Sequence, residues 1–167
     1  MRRASVAAGT LPTVRVRSTM QALPEERVRR ILSGLPPAVG FEVVVKPLRY
    51  RHRPHLAALT DLESGTIVLQ VPEPFFPFGE VVPYAAKRRP GRSMRFIWLT
   101  EGITFRTPRE VLRFLYLHEW MHWYLEAHHG WGASAETTCD RFALRNYRRR
   151  QVTTTDARAA IRRNGTS

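Results

Sequence analysis

Residues 107–130 constrain the fold more than any other part of the sequence, because they predict one long helix. Thr107 is a good helix cap, Pro108 suits the first helical position, and Glu110 follows the cap by three residues. Gly130 is expected to end the helix. Its apolar residues lie nearly all round the axis: Val111, Leu112, Phe114, Leu115, Leu117, Trp120, Met121, Trp123, Tyr124 and Leu125. We therefore expect a helix surrounded by protein on most sides.

Three polar residues interrupt this apolar helix. His118 and His122 are four residues apart, so their imidazoles lie on one face, with Glu119 beside them. Such residues are costly to bury without partners. The pattern His-Glu-x-x-His predicts two ligands of one metal ion and a general base, the arrangement of a zinc hydrolase. The alternative is a pair of hydrogen-bonded core histidines with no metal.

A catalytic zinc ion commonly takes three protein ligands, so a third must come from elsewhere. Glu136 and Asp140 are again four residues apart, on a second predicted helix that Ser134 can cap. One carboxylate can bind the metal, and the other can accept the ring proton of a liganding histidine. We predict Glu136 as the ligand and Asp140 as the proton acceptor. The alternative is a surface ion pair with an arginine of the same helix.

Two other candidates for the third ligand are weaker. His128 follows His118 by ten residues. If the helix continues through Leu125, His128 lies about 9 Å along the axis from His122 and about 120° round it, too far to share an ion. A histidine ligand nevertheless stays open as an alternative. Cys139 is better explained as a small buried residue.

The motifs His118-Glu-x-x-His122 and Glu136-x-x-x-Asp140 together resemble those of the gluzincin metallopeptidases. The segment 136–143 is similar to the corresponding segment of the ImmA/IrrE-like group. This resemblance implies His118, His122 and Glu136 as zinc ligands, Glu119 as general base and Asp140 behind the ligands. The adjacent histidines before Gly130 also resemble the SprT-like domains, which would instead imply a histidine as third ligand.

The predicted fold class is α+β: a small zincin-like single domain. Its short mixed or antiparallel sheet of about three strands would pack on the buried active-site helix and the ligand helix after it. Apolar and β-branched runs predict strands at 41–45, 66–71 and 94–99, and a short helix is expected near 23–34. Five prolines within 72–92 predict an irregular loop, and residues 57–62 are ambiguous.

The expected boundaries are a disordered basic tail at 1–19, the metallopeptidase domain at 20–152, and a partly frayed C-terminal segment at 153–167 with a short helix near 156–163. No run approaches the length and apolarity of a membrane span. Cys139 is the only cysteine, so an intrachain disulfide is excluded and a reducing, cytoplasmic location is expected.

The formal net charge is +13, from 27 basic and 14 acidic side chains, which makes an anionic partner plausible. Only two of the basic residues are lysines, so an arginine-rich composition without a binding role is an alternative. The basic residues gather in three stretches, 46–53, 87–95 and 141–150. They suggest nucleic acid as a possible partner through the basic surface.

The function expected from these observations is zinc-dependent hydrolysis of a peptide bond in a peptide or protein substrate. Zinc lowers the pKa of its bound water, and Glu119 would take the proton. The strand at 94–99 is a candidate edge for pairing with the substrate. The alternatives are a nucleic-acid-associated, SprT-like zinc protein with a histidine third ligand, and a zinc-binding module without catalysis.

Overall fold

The computed structural model describes residues 14–89, 95–130 and 136–164, and within these ranges the chain is α+β, with four helices and two small sheets. The strands are β1 (Arg15–Ser18), β2 (Glu42–Leu48), β3 (Ala57–Asp61), β4 (Thr66–Pro72), β5 (Phe78–Arg89) and β6 (Arg95–Phe105). The helices are α1 (Glu25–Leu32), α2 (Pro108–His129), α3 (Glu136–Asn146) and α4 (Thr154–Asn164).

The larger sheet has the strand order β1-β2-β4-β3. Strands β1, β2 and β4 are parallel, and β3 pairs antiparallel with β4 at the edge. Alternate residues of β4, Ile67, Leu69 and Val71, are buried in the core that the sheet shares with the helices. This alternation is the pattern of a sheet that has one face on the core.

Strands β5 and β6 form a separate antiparallel pair, from Phe78↔Phe105 to Arg89↔Arg95. The expectation of an irregular loop throughout 72–92 is therefore wrong from Phe78 to Arg89. Prolines exclude a helix but are tolerated at strand edges and bulges, and a register shift occurs between Pro83 and Ala85. At the inner end of the pair, Phe105 packs against the rings of Phe78 and Phe114 at centroid distances of 5.3 and 5.4 Å.

Helix α2 forms as its sequence predicts. The Thr107 hydroxyl accepts a hydrogen bond from the Glu110 backbone N–H at 3.3 Å, and Gly130 ends the helix in the left-handed conformation with φ of 61°. Twelve of its residues are buried. The helix packs against β3 and β4 on the sheet and against α1 and α3, which makes it the centre of the core.

Arg113 on α2 is buried, with 3% of its surface exposed, and carbonyl oxygens rather than an acid surround its guanidinium. Its Nη1 donates to the carbonyls of Ile31 at 2.7 Å and Ser33 at 3.1 Å, at the C-terminal end of α1. Its Nε donates to the carbonyl of Tyr147 at 3.0 Å, and its Nη2 to those of Arg149 and, at 3.4 Å, Arg150. The partly negative ends of α1 and α3 stabilise this cation. We call these contacts the arginine anchor.

Two further expectations need correction, and two other segments are resolved. Arg15–Ser18 falls within the expected disordered tail but forms β1, whereas residues 1–13 lie outside the described residues. The expected sheet of about three strands is instead two sheets with six strands among the described residues. The ambiguous segment 57–62 contains β3, and the expected helix near 156–163 is α4.

No helix in the described part of the chain is both long and apolar enough to cross a membrane.

Candidate metal centre

The two histidines of α2 lie side by side on one face of the helix. The Nε2 atoms of His118 and His122 are 3.1 Å apart, and their ring centroids are 4.8 Å apart. Both rings are mostly buried, with side-chain exposures of 12% and 20%. The uninterrupted helix brings them together, because residues four apart lie one above the other.

Glu136, the first residue of α3, supplies a carboxylate to this pair. Its Oε2 lies 3.1 Å from His118 Nε2, and its Oε1 lies 2.9 Å from His122 Nε2. Ligand atoms of the three side chains all lie within 4.8 Å of one another. The side chain of Glu136 is 63% exposed, so the cluster opens to solvent on this side. We call these three residues the His/His/Glu cluster.

Asp140 lies behind the cluster, one turn further along α3. Its Oδ1 is 2.8 Å from Nδ1 of His118, the ring nitrogen that faces away from Glu136. The distance is that of a hydrogen bond, but Nδ1 of His118 makes no hydrogen bond with good alignment. The contact places a carboxylate where it can orient the His118 ring and keep Nε2 pointed into the cluster.

The carboxylates make the surroundings of His118 strongly favourable for a positive charge. Burial lowers the pKa of His118, but the contacts with Asp140 and Glu136 outweigh it and raise that pKa to about 10. The contact with His118 in turn lowers the pKa of Glu136 to about 2, against an opposing effect of burial. Imidazole nitrogens and carboxylate oxygens at these distances favour a cation between them, either a proton on an imidazole or a metal ion.

The three side chains are also close enough together to share a metal ion. In a tetrahedral site with zinc–ligand distances near 2.05 Å, neighbouring ligand atoms are about 3.3 Å apart. In the cluster the two Nε2 atoms are 3.1 Å apart, and they contact different oxygens of Glu136, at 3.1 Å from His118 and 2.9 Å from His122. One ligand atom from each residue lies within 4.8 Å of the others. Two imidazoles and one carboxylate are also a ligand set that catalytic zinc uses. The residues present therefore fit zinc.

Glu119 is held by a residue that the sequence did not point to. The Thr60 hydroxyl on β3 lies 2.7 Å from Glu119 Oε2 and 3.2 Å from the Glu119 carbonyl oxygen, and it can donate to either. Glu119 itself is buried, with 6% of its surface exposed. Thr60 lies 59 positions before Glu119, in a segment whose sequence predicts no clear secondary structure. Only the pairing of β3 with β4 brings it to α2.

The two weaker candidates lie outside the His/His/Glu cluster. Because α2 continues to His129, His128 falls on another face, where its ring lies 4.6 Å from that of Tyr124 and 6.0 Å from that of Trp123. Cys139 is fully buried. Burial is the main cause that raises the pKa of its thiol, and the nearby carboxylates add to the effect. A protonated, buried thiol is a poor metal ligand. Ser134, the predicted cap of α3, lies outside the described residues.

Comparisons with known proteins found no match: no protein-family model matches the chain, and no curated protein or solved structure matches it either.

Proposed function

We propose that this protein is a zinc-dependent metallopeptidase, with His118, His122 and Glu136 as ligands and Glu119 as general base. The observation that carries the proposal is the convergence of these three ligand atoms, from two helices, within 4.8 Å. The motif lies on α2 and the carboxylate on a different helix, α3, so helical periodicity alone does not explain their contact.

In this proposal, each residue has one role. Bound zinc would supply a water molecule whose pKa is lowered toward 7. Glu119 accepts a proton as a peptide carbonyl is attacked, and Thr60 fixes the carboxylate of Glu119 in place. Asp140 orients the ring of His118.

The edge strand β3 is a better candidate for pairing with an extended substrate than the strand expected at 94–99. Strand β3 packs against α2, and its Thr60 contacts Glu119 directly. Among the described strands only β4 pairs with it, which leaves its other edge available. Strand β6 instead belongs to the separate two-stranded sheet. A peptide added to β3 would place a backbone carbonyl close to the cluster.

The test separates metal binding from catalysis. Metal content is measured on the wild type, Glu136→Ala and His128→Ala after loading with Zn²⁺ and removal of excess metal. We expect one equivalent of zinc in the wild type and in His128→Ala, and little in Glu136→Ala. Zinc retained by Glu136→Ala but lost by His128→Ala would overturn the choice of ligands.

Peptidase activity is then measured by mass spectrometry on a mixed peptide library. The wild type should cleave peptides only with zinc, and Glu119→Gln should bind zinc normally without cleaving. If the wild type holds one zinc ion and cleaves nothing, the protein is a zinc-binding module and the catalytic proposal is wrong.

A further inference from the structure

The β5–β6 pair continues as a two-stranded ribbon past Val82 and its partner Glu101. We define the hairpin arm as residues 85–89 and 95–99, which pair from Ala85↔Leu99 to Arg89↔Arg95. In the described part of the chain, no third strand pairs with either of its edges. The inner part is different, because Phe78, Val82 and Phe105 are buried in the core.

The described apolar side chains of β6 in the hairpin arm are open to solvent. Ile97, Trp98 and Leu99 have 42%, 56% and 38% of their surface exposed. Successive residues of a strand point to opposite faces, so three consecutive exposed apolar residues mean that neither face is covered at positions 97–99. Exposed large apolar side chains grouped in this way commonly mark a binding surface.

The charge of the hairpin arm has one sign. Between residues 83 and 100 the sequence has five basic residues and no acidic one. Four of them are in the arm, at Lys87, Arg88, Arg89 and Arg95, and Arg92 lies outside the described residues. The acidic residues nearest to the arm in the sequence, Glu80 and Glu101, lie on the inner part of the pair. The arm should therefore attract a polyanion.

In contrast to the arm, the basic stretch at 141–150 is partly neutralised by acidic side chains. Arg148 Nη2 lies 3.5 Å from Glu110 Oε2, and Arg149 Nη1 lies 2.7 Å from Asp156 Oδ1. Arg149 also donates to Asn146, which holds it against α3. These arginines have intramolecular partners on the surface, so this stretch is less suited to an anionic ligand.

The order of residues along the hairpin arm distinguishes a nucleic acid from a membrane. The basic residues occupy the outer end, and the apolar residues 97–99 follow on the side of the core. A ribbon that inserts into a bilayer would need the reverse order, because its outer end enters the hydrocarbon first and charges are costly there. A ribbon that enters a groove lined by phosphates needs its charges at the outer end.

We propose that the hairpin arm binds duplex DNA. A two-stranded antiparallel ribbon fits the major groove of B-form DNA, about 12 Å wide, whereas the major groove of A-form RNA is too narrow. The basic residues contact phosphates, and Trp98 with Ile97 packs against the sugars and base edges. This binding does not depend on the metal centre, so it stands or falls separately from the peptidase proposal.

The test is fluorescence anisotropy of a labelled 20-base-pair DNA duplex with the full chain, measured between 50 and 300 mM salt. One variant removes three charges of the arm, and a matched control removes three exposed charges after β2. The substitutions are Lys87→Ser, Arg88→Ser and Arg89→Ser in the first variant, and Arg49→Ser, Arg51→Ser and Arg53→Ser in the control.

We expect the arm variant to lose about tenfold or more in affinity. Its slope of log K against log salt should fall by about 2 to 3, because each phosphate that a basic side chain neutralises contributes about 0.9 to that slope. The control should change affinity by about threefold at most. Trp98→Ala, at an exposed position that does not support the core, should weaken binding about fivefold.

Three outcomes would overturn the proposal. The first is an absence of duplex binding by the wild type at 50 mM salt. The second is an equal loss in both triple variants, which would mean unspecific attraction to the whole surface. The third is a preference for duplex RNA, or for vesicles with anionic lipid, over DNA at equal salt.

Discussion

The arginine anchor and the His/His/Glu cluster lie on the same helix, five residues apart at Arg113 and His118, and they stabilise charge in opposite ways. In the anchor, a buried cation is surrounded by the carbonyl oxygens of two helix ends, so its hydrogen bonds are complete within the protein. In the cluster, nitrogen and carboxylate oxygen atoms converge at 2.9 to 3.1 Å, so these groups favour a cation between them.

The difference indicates which polar group of a buried helix serves folding and which serves binding. Both groups are costly to place in a core. The anchor gains nothing further from a ligand, whereas the proposed zinc ion would stabilise the cluster. We therefore expect substitutions in the anchor to reduce the free energy of unfolding, and substitutions in the cluster to reduce mainly the response to metal.

The largest effect should come from Arg113→Met. This change removes the donors of several buried carbonyl groups and should lower the free energy of unfolding by about 3 to 5 kcal/mol. Urea unfolding followed by circular dichroism measures it. Arg109→Met, one turn earlier and exposed, is the control and should change stability by less than about 0.5 kcal/mol. Equal effects of the two changes would mean that the anchor has no special role.

The response of stability to zinc should distinguish the cluster from the anchor. At a concentration 100 times its Kd, zinc should raise the unfolding free energy of the wild type by about 2.7 kcal/mol, because it binds the folded state. Glu136→Ala should abolish this increase. Without zinc it should lower stability less than Arg113→Met does, because Glu136 is 63% exposed and solvent screens its contacts with the histidines. Thermal unfolding with and without zinc measures both. A normal zinc response in Glu136→Ala would contradict the proposed ligand set.

A substitution at Gly34 tests how tightly this residue packs against the carbonyl group of Arg150, which belongs to the anchor. A Cβ atom at Gly34 would lie 2.2 Å from the carbonyl oxygen of Arg150, and its φ is 83°. Gly34→Ala should therefore cost about 2 to 3 kcal/mol, from steric overlap and backbone strain. Gly40→Ala is the matched control, because φ is 80° and nothing lies within 4 Å of the added Cβ. It should cost about 1 kcal/mol, and equal costs at both positions would show that the overlap is relaxed easily.

Thr60→Val should have the smallest effect on stability. It removes a hydroxyl that contacts Glu119 and should cost about 1 kcal/mol, whereas Thr60→Ser keeps the hydroxyl and should cost less. Zinc affinity should stay within about twofold of the wild type in both, because Thr60 lies outside the cluster. Urea unfolding and zinc titration measure these quantities. A Thr60→Ser variant as unstable as Thr60→Val would show that the threonine methyl group, not the hydroxyl, matters.

The sequence determined the features that depend on local periodicity. The cap at Thr107 and the stop at Gly130 fixed helix α2, and spacings of four residues placed His118 next to His122 and Glu136 next to Asp140 on their helices. These relations hold within one element, because hydrogen bonding between residues four apart sets the helix geometry. The role of these side chains as zinc ligands stays a prediction.

Only the tertiary structure decided the features that depend on pairing between distant segments. The sequence did not predict β5 because of the prolines within 72–92, or β1 because it lies in a basic stretch, and Thr60 lies in an ambiguous segment. Strand formation depends on the partner strand as much as on propensity. Arg113 gave no signal, since its partners are carbonyl groups, which every residue carries. The packing of α1 and α3 around α2 brought those carbonyl groups to Arg113. The same packing brought Glu136 to the two histidines.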